Sequence, residues 1–275
     1  MKAELRYLLA ERSGANVAEE FGFTTFPVEP RQIAHKKDIV VEAKDLTGCC
    51  GCLIYHDGMF AIAHSSSLAN AGMVNFTIAH ELGHYFLEGH ATELFHGVDG
   101  AHQSAGAFQS QDPREREADR FAVGLLLPEG LFRRKMNACD GGLQGIKALQ
   151  SICGTSLTST AIRFATLAEE PVAVIVARDA RVEYCFMSDA LREIRELQWL
   201  KKGSSISRES VTAELSSNRE RIERAEVIEG WSSFDLWFDG APECECQEDV
   251  IGLGKFGQTL TVLWCEEALT DDDDE

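Results

Sequence analysis

One stretch constrains this chain more than any other: Asn75-Phe-Thr-Ile-Ala-His80-Glu81-Leu-Gly-His84-Tyr-Phe-Leu87-Glu-Gly89-His90. Read as a helix, it sets His80 and His84 one turn apart on a single face, because four residues is close to one helical period. Two imidazoles so placed can share one zinc ion. Glu81, next to the first of them, can serve as general base toward a water held there. Asn75 is a good N-cap and Gly89 suits a left-handed residue at a helix end, so the helix is expected to run between them. The bland alternative is a helix whose His and Glu side chains face solvent.

The rest of the chain limits what can surround such a helix. A length of 275 residues allows two or three domains and a sizeable core. The net charge of −19 argues against a protein built to coat nucleic acid or an anionic membrane. No apolar run approaches bilayer-spanning length, and Arg6 interrupts the short N-terminal one before it resembles a signal peptide. A cytoplasmic protein with no membrane partner is expected. Nine cysteines, an odd number, do not read as a disulfide framework. Cys49-Cys50-x-Cys52 and Cys244-x-Cys246 read as reduced thiols, with soft-metal binding or oxidation sensing as the sharper alternative.

Charge divides the chain into a part over 1–127 (net −7), a basic part over 128–168 (net +3) and an acidic part over 169–275 (net −15). In the first part, helices are expected over 2–10 and 15–21, and strands over 24–28 and 39–42. Residues 52–55 and 59–63 read as a hairpin around Asp57-Gly58. A free strand edge beside a metal could pair with an extended substrate backbone. Residues 97–111 read as a polar, Gly-rich loop. Asp112-Pro113-Arg114-Glu115 then opens a second helix as N-cap, first-turn Pro and capping-box Glu, and Pro128 marks its end.

A catalytic zinc takes three protein ligands and leaves a fourth position open. His90 would complete a His-x5-His spacing after His84, but that arrangement needs a sharp turn at position 87, and Leu87 resists a positive φ. Glu115 and Glu117 remain, both on the second helix and both bordering its apolar face, so periodicity does not separate them. Glu115 already has a structural explanation in the capping box. Glu117 shares a face with Gly124, where a missing side chain would let helices approach, and is favoured, partly for the resemblance that follows.

The block Asn75–His84 with Tyr85, followed by Glu115-Arg-Glu117-Ala-Asp-Arg-Phe-Ala122 and Leu125-Leu-Leu-Pro128, resembles the ImmA/IrrE family of metallo-endopeptidases. Asn75 stands where many relatives carry Arg. The resemblance implies a zincin-like fold, with His80, His84 and Glu117 as Zn2+ ligands and Glu81 as the catalytic base. Manganese could take the place of zinc. It also implies a substrate, since family members cut helix-turn-helix transcriptional repressors and so release stress or mobile-element genes. In the longer IrrE-like branch, a helix-turn-helix segment and a GAF-like domain follow the peptidase. Tyr55, His64 and His90 are the candidates for stabilising the oxyanion.

The expected organisation is therefore α+β. It comprises a zincin-like peptidase domain over 1–127, a helix-turn-helix-like segment over 128–168, a GAF-like sensor domain over 169–270 and an acidic tail over 271–275. Residues 142–153 and 157–167 read as two helices about a turn at Gly154. With Lys147, Arg163 and Arg133-Arg134-Lys135 they form the one basic patch, which could contact DNA weakly through 142–168 or serve only to pack. Beyond residue 170 the pattern reads as strands over 172–177, 182–187, 227–238 and 259–264, with a helix over 189–200. An unknown small-molecule effector is the partner a sensor domain would require. The rival to a peptidase is a DNA-binding or ligand-sensing regulator that keeps zinc as a structural element.

Overall fold

The computed structural model describes residues 2–104 and 110–265. In chain order it contains α1 (Lys2–Glu20), α2 (Pro30–Lys36), β1 (Val40–Lys44), β2 (Gly51–His56), β3 (Met59–Ser65), α3 (Ala71–Phe86), α4 (His90–Phe95), β4 (Gly100–Ser104), α5 (Pro113–Leu126) and α6 (Glu129–Met136). After these come α7 (Gly142–Cys153), α8 (Leu157–Leu167), β5 (Val172–Arg178), β6 (Arg181–Met187), α9 (Asp189–Arg192), α10 (Val211–Ser216) and α11 (Arg219–Glu223). The last elements are β7 (Val227–Ser233), α12 (Phe234–Trp237), β8 (Glu245–Gly252) and β9 (Thr259–Trp264). The architecture is α+β. It divides into two compact units, 1–135 with 149–156, and 136–148 with 157–275, so residues 128–168 are shared between them.

In the first unit the sheet order is β1-β3-β2-β4. β2 and β3 form the expected hairpin, and Asp57 and Gly58 at its tip both have positive φ (48° and 79°), the primed-turn geometry that matches strand twist. β1 runs parallel to β3, and β4 adds antiparallel to β2 as the outer strand. That strand falls inside the stretch read as a loop, because a polar five-residue edge strand carries little apolar alternation.

α1 is one helix where two were expected. Gly14 does not break it, because α1 crosses α5 there: a Cβ on Gly14 would lie 2.1 Å from the Phe121 carbonyl oxygen, and one on Gly124 would lie 1.8 Å from that of Glu11. Residues 24–28 form no strand; Pro27 has no N–H to give a ladder. α5 lies between α1 on one side and α3 on the other, with Ala118, Phe121, Ala122 and Leu125 buried.

The second unit is built on an antiparallel sheet of order β6-β5-β9-β8-β7. Ile175, Phe234, Phe238 and Leu263 are among the residues of its main apolar core. β5, β6 and β9 match their sequence patterns closely. The helix expected over 189–200 shrinks to α9, and the strand expected over 227–238 ends at Ser233, where α12 begins. β8 was not legible as a strand, because its Glu-Cys-Gln-Glu-Asp start reads as polar while Glu248 and Asp249 are in fact buried. The run 271–275 lies outside the described residues. No helix among the described residues is long and apolar enough to cross a membrane.

Candidate metal centre

α3 starts one turn earlier than its pattern suggested. Asn70, not Asn75, is the N-cap, its side chain accepting from the Met73 amide at 2.9 Å, while the Asn75 side chain donates to the Gly154 carbonyl oxygen at 3.2 Å. The helix ends at Phe86, and Gly89, left-handed as expected (φ 84°), caps the start of α4 instead. On α3, Glu81 and His84 are fully buried and His80 is nearly so. β2 passes close over this face at Gly51, where a Cβ would meet Glu81 Oε1 at 2.6 Å.

His80 Nε2 and His84 Nε2 stand 3.2 Å apart. The carboxylate that joins them is that of Glu115, with Oε1 3.1 Å from His84 Nε2 and Oε2 3.4 Å from His80 Nε2. The separation of the two imidazole nitrogens is close to that of adjacent corners of a tetrahedron with arms of about 2 Å, roughly 3.3 Å, which suits zinc, and the carboxylate sets one oxygen against each of them. The donor set of two imidazole nitrogens and a carboxylate oxygen also suits that ion. Asp112 caps α5 as expected, accepting from the Arg114 amide at 2.8 Å, but Glu115 does not fold back to complete a capping box. It points across to α3.

Glu117 and His90, the other two ligand candidates, are placed one layer out. His84 Nδ1 is 3.2 Å from His90 Nδ1, His90 Nε2 is 3.1 Å from Glu117 Oε2, and Arg6 on α1 reaches Glu117 Oε1 at 2.7 Å. Residues two apart on a helix point to opposite sides, so Glu115 and Glu117 could not both face α3. Asp119 completes the wiring: its Oδ1 lies 2.9 Å from His80 Nδ1. With the Nδ1 protons of His80 and His84 donated outward, the Nε2 lone pairs of both point into the cluster. Outer carboxylates commonly fix metal-binding imidazoles in this way.

The electrostatics follow from this packing. Burial opposes charge on His80, but hydrogen bonds to Asp119 and Glu115 outweigh it and push the imidazole up to about 10. Burial drives His84 the other way, down to about 4. Burial also raises Glu115, yet hydrogen bonds from His102, His80 and His84 hold it far below the usual carboxylate range. Burial lifts Glu81 to about 7, and neither of its oxygens has a partner of normal hydrogen-bond geometry among the described residues. A carboxyl at such a value is poised to take and return a proton near neutral pH.

Two residues of the site went unread in the sequence. Asp119 was findable, since it follows Glu115 by four positions and so shares its helix face. His102, in the stretch read as a loop, carried no signal. It stands 2.8 Å from Glu115 Oε1. Of the three oxyanion candidates, the Tyr55 ring packs against the Phe60 and Phe95 rings, His64 meets Arg31 and the Ser65 carbonyl oxygen, and His90 joins His84 to Glu117. Arg163, one of the cations of the basic patch, is buried. The nine cysteines are free thiols, and burial pushes Cys52 up to about 11 and Cys246 up to about 12, which keeps them protonated and unreactive near neutral pH.

Residues 62–147 match the Peptidase M78 family description, an IrrE N-terminal-like domain. No curated protein matches the chain. Among solved structures it is similar to a Mycobacterium tuberculosis transcriptional regulator, at 15% identity and a TM-score of 0.56, over 93% of this chain and 76% of that one. At that identity the likeness speaks for the fold alone.

Proposed function

Residues 62–147 carry the IrrE N-terminal-like peptidase domain of the ImmA/IrrE type, and from that premise we propose that the chain is a zinc-dependent endopeptidase that cuts a helix-turn-helix transcriptional repressor. The observation that carries the chemistry is the convergence of donor atoms on His80, His84 and Glu115, with the buried Glu81 carboxyl beside them. His80, His84 and Glu115 would hold the ion, Glu115 taking the place that the resemblance assigns to Glu117. A bound zinc would polarise the scissile carbonyl and make the attacking water more acidic. Glu81 takes the proton of that water and later delivers it to the leaving nitrogen. Asp119 holds His80 in its tautomer, and His90 with Glu117 does the same for His84. His80 holds a proton to about pH 10 on its own, so metal binding releases it.

The repressor as substrate rests on the family resemblance, and the transcriptional-regulator title of the structural neighbour is compatible with it. A reading as a DNA-binding regulator is weakened by the burial of Arg163. A sensor role for the second unit is supported only by its α+β sheet architecture. The test is Glu81→Gln with bound zinc measured alongside cleavage of the helix-turn-helix repressor encoded beside this protein. Zinc should be retained and the rate should fall by about 10²- to 10⁴-fold. Cleavage at the wild-type rate with zinc retained would remove the mechanism.

A further inference from the structure

β4 brings more to the metal centre than an edge to the sheet. Its middle residue, His102, is directly across from Leu53 of β2 in the antiparallel register, and Ser104 is across from Gly51. Residues 102 and 104 point to the same face of the strand, because side chains alternate. That face is turned to α3 and α5. His102 Nε2 lies 2.8 Å from Glu115 Oε1, the same oxygen that stands 3.1 Å from His84 Nε2, and the His84 and His102 rings are 4.7 Å apart between centroids. Ser104, buried, sits beside Glu81, whose charge it and His102 both help to stabilise. One short strand therefore sets a side chain against each of the two carboxylates the site depends on.

The imidazole is not one of the three donors that converge at metal-site spacing. Its contact is with the carboxylate. It is also the most open of the four imidazoles here, its side chain 22% exposed against 6% for His80, 0% for His84 and 4% for His90.

We propose that His102 is a positioning residue of the metal centre, donating its Nε2–H to Glu115 so that the carboxylate is held toward His80 and His84, and that β4 is thereby coupled to metal occupancy. This rests on the reading of His80, His84 and Glu115 as the ligands. A carboxylate with no outer partner can rotate about its last bond, and ordering it costs part of the binding energy. His102 makes for Glu115 the restraint that Asp119 makes for His80 and His90 makes for His84. By thermodynamic reciprocity, an ion that favours the ordered carboxylate also favours the strand that orders it.

The experiment uses the full chain stripped of metal and titrated with Zn2+ against a chromophoric chelator, as wild type, His102→Ala and His102→Gln. Zinc affinity should fall about 10- to 100-fold in His102→Ala, and His102→Gln, which keeps a donor at that end, should recover most of the loss. Hydrogen exchange should show the backbone amides of 100–104 slowed by Zn2+ in wild type and not in His102→Ala. X-ray absorption of the zinc-loaded wild type should count two imidazoles. Three imidazoles would make His102 a ligand and overturn the positioning role, as would equal affinities with unchanged exchange. If wild type itself binds no zinc stoichiometrically, the ligand reading fails, which is a separate result from a failure at His102.

Discussion

In the first unit Glu81, Glu115, Glu117 and Asp119 are buried or nearly so beside imidazoles, whereas in the second Glu248 and Asp249 are as deeply buried beside amides, hydroxyls and an indole. Glu248 Oε1 accepts from the Thr212 amide and hydroxyl, each at 2.6 Å, and Asp249 Oδ2 accepts from the Leu143 amide at 2.9 Å and Trp264 Nε1 at 3.0 Å. Apart from Glu81, whose two oxygens have no partner of normal hydrogen-bond geometry among the described residues, both sets satisfy the rule that buried acids need partners. They differ in what the partners can exchange. An imidazole can exchange its proton for a metal ion, releasing the proton to water, and keep its place, while an amide or indole N–H has no lone pair to offer. Burial of a carboxylate therefore does not mark a site; the chemistry of its partners does.

The largest expected effect separates two neighbours on one helix. Glu115→Ala should weaken zinc binding by about 1,000-fold, the share of one ligand in a typical zinc binding energy, measured by chelator competition. Glu117→Ala should cost only about 10- to 100-fold, as an outer partner. Equal losses would erase the distinction between them. Next comes pH. Because His80 is raised to about 10, protons compete with the ion throughout the neutral range, and zinc affinity should rise by up to about tenfold per pH unit between pH 6 and 8. A flat profile by the same titration would mean that His80 carries no proton to displace.

The second unit supplies the opposite expectation. Glu248→Ala should leave zinc affinity unchanged and destabilise the protein by about 2 kcal/mol in chemical denaturation, because the Thr212 amide and hydroxyl lose their acceptor. A change in zinc affinity would blur the contrast between the units. Arg6→Ala is the smallest. Its side chain is 58% exposed, so losing the pair with Glu117 should cost less than about 1 kcal/mol and leave zinc binding within a few-fold.

Much of this was legible before any tertiary information. The hairpin at Asp57-Gly58, the α5 start at Asp112-Pro113, and α7, α8 and β9 depend on local turn, cap and periodicity rules that act within a few residues. The stretches that were misread have non-local causes. Gly14 looks like a break until α5 is laid against it, and β8 looks polar until α10 and Trp264 supply partners for its acids. β4 becomes a strand only because β2 offers it an edge.

The same division runs through the candidate site. The chain by itself determined that His80 and His84 share a face with Glu81 between them, because four residues make about one helical turn wherever the helix is placed. It also pointed to the helix after Asp112 for a third donor, ahead of His90. Which carboxylate stands beside His80 and His84 was decided by the tertiary structure alone: α5 is packed between α1 and α3, and a two-residue step turns Glu115 toward those two imidazoles and Glu117 toward Arg6 and His90. His102 lies furthest from prediction, since its place depends on a strand pairing made across half the domain.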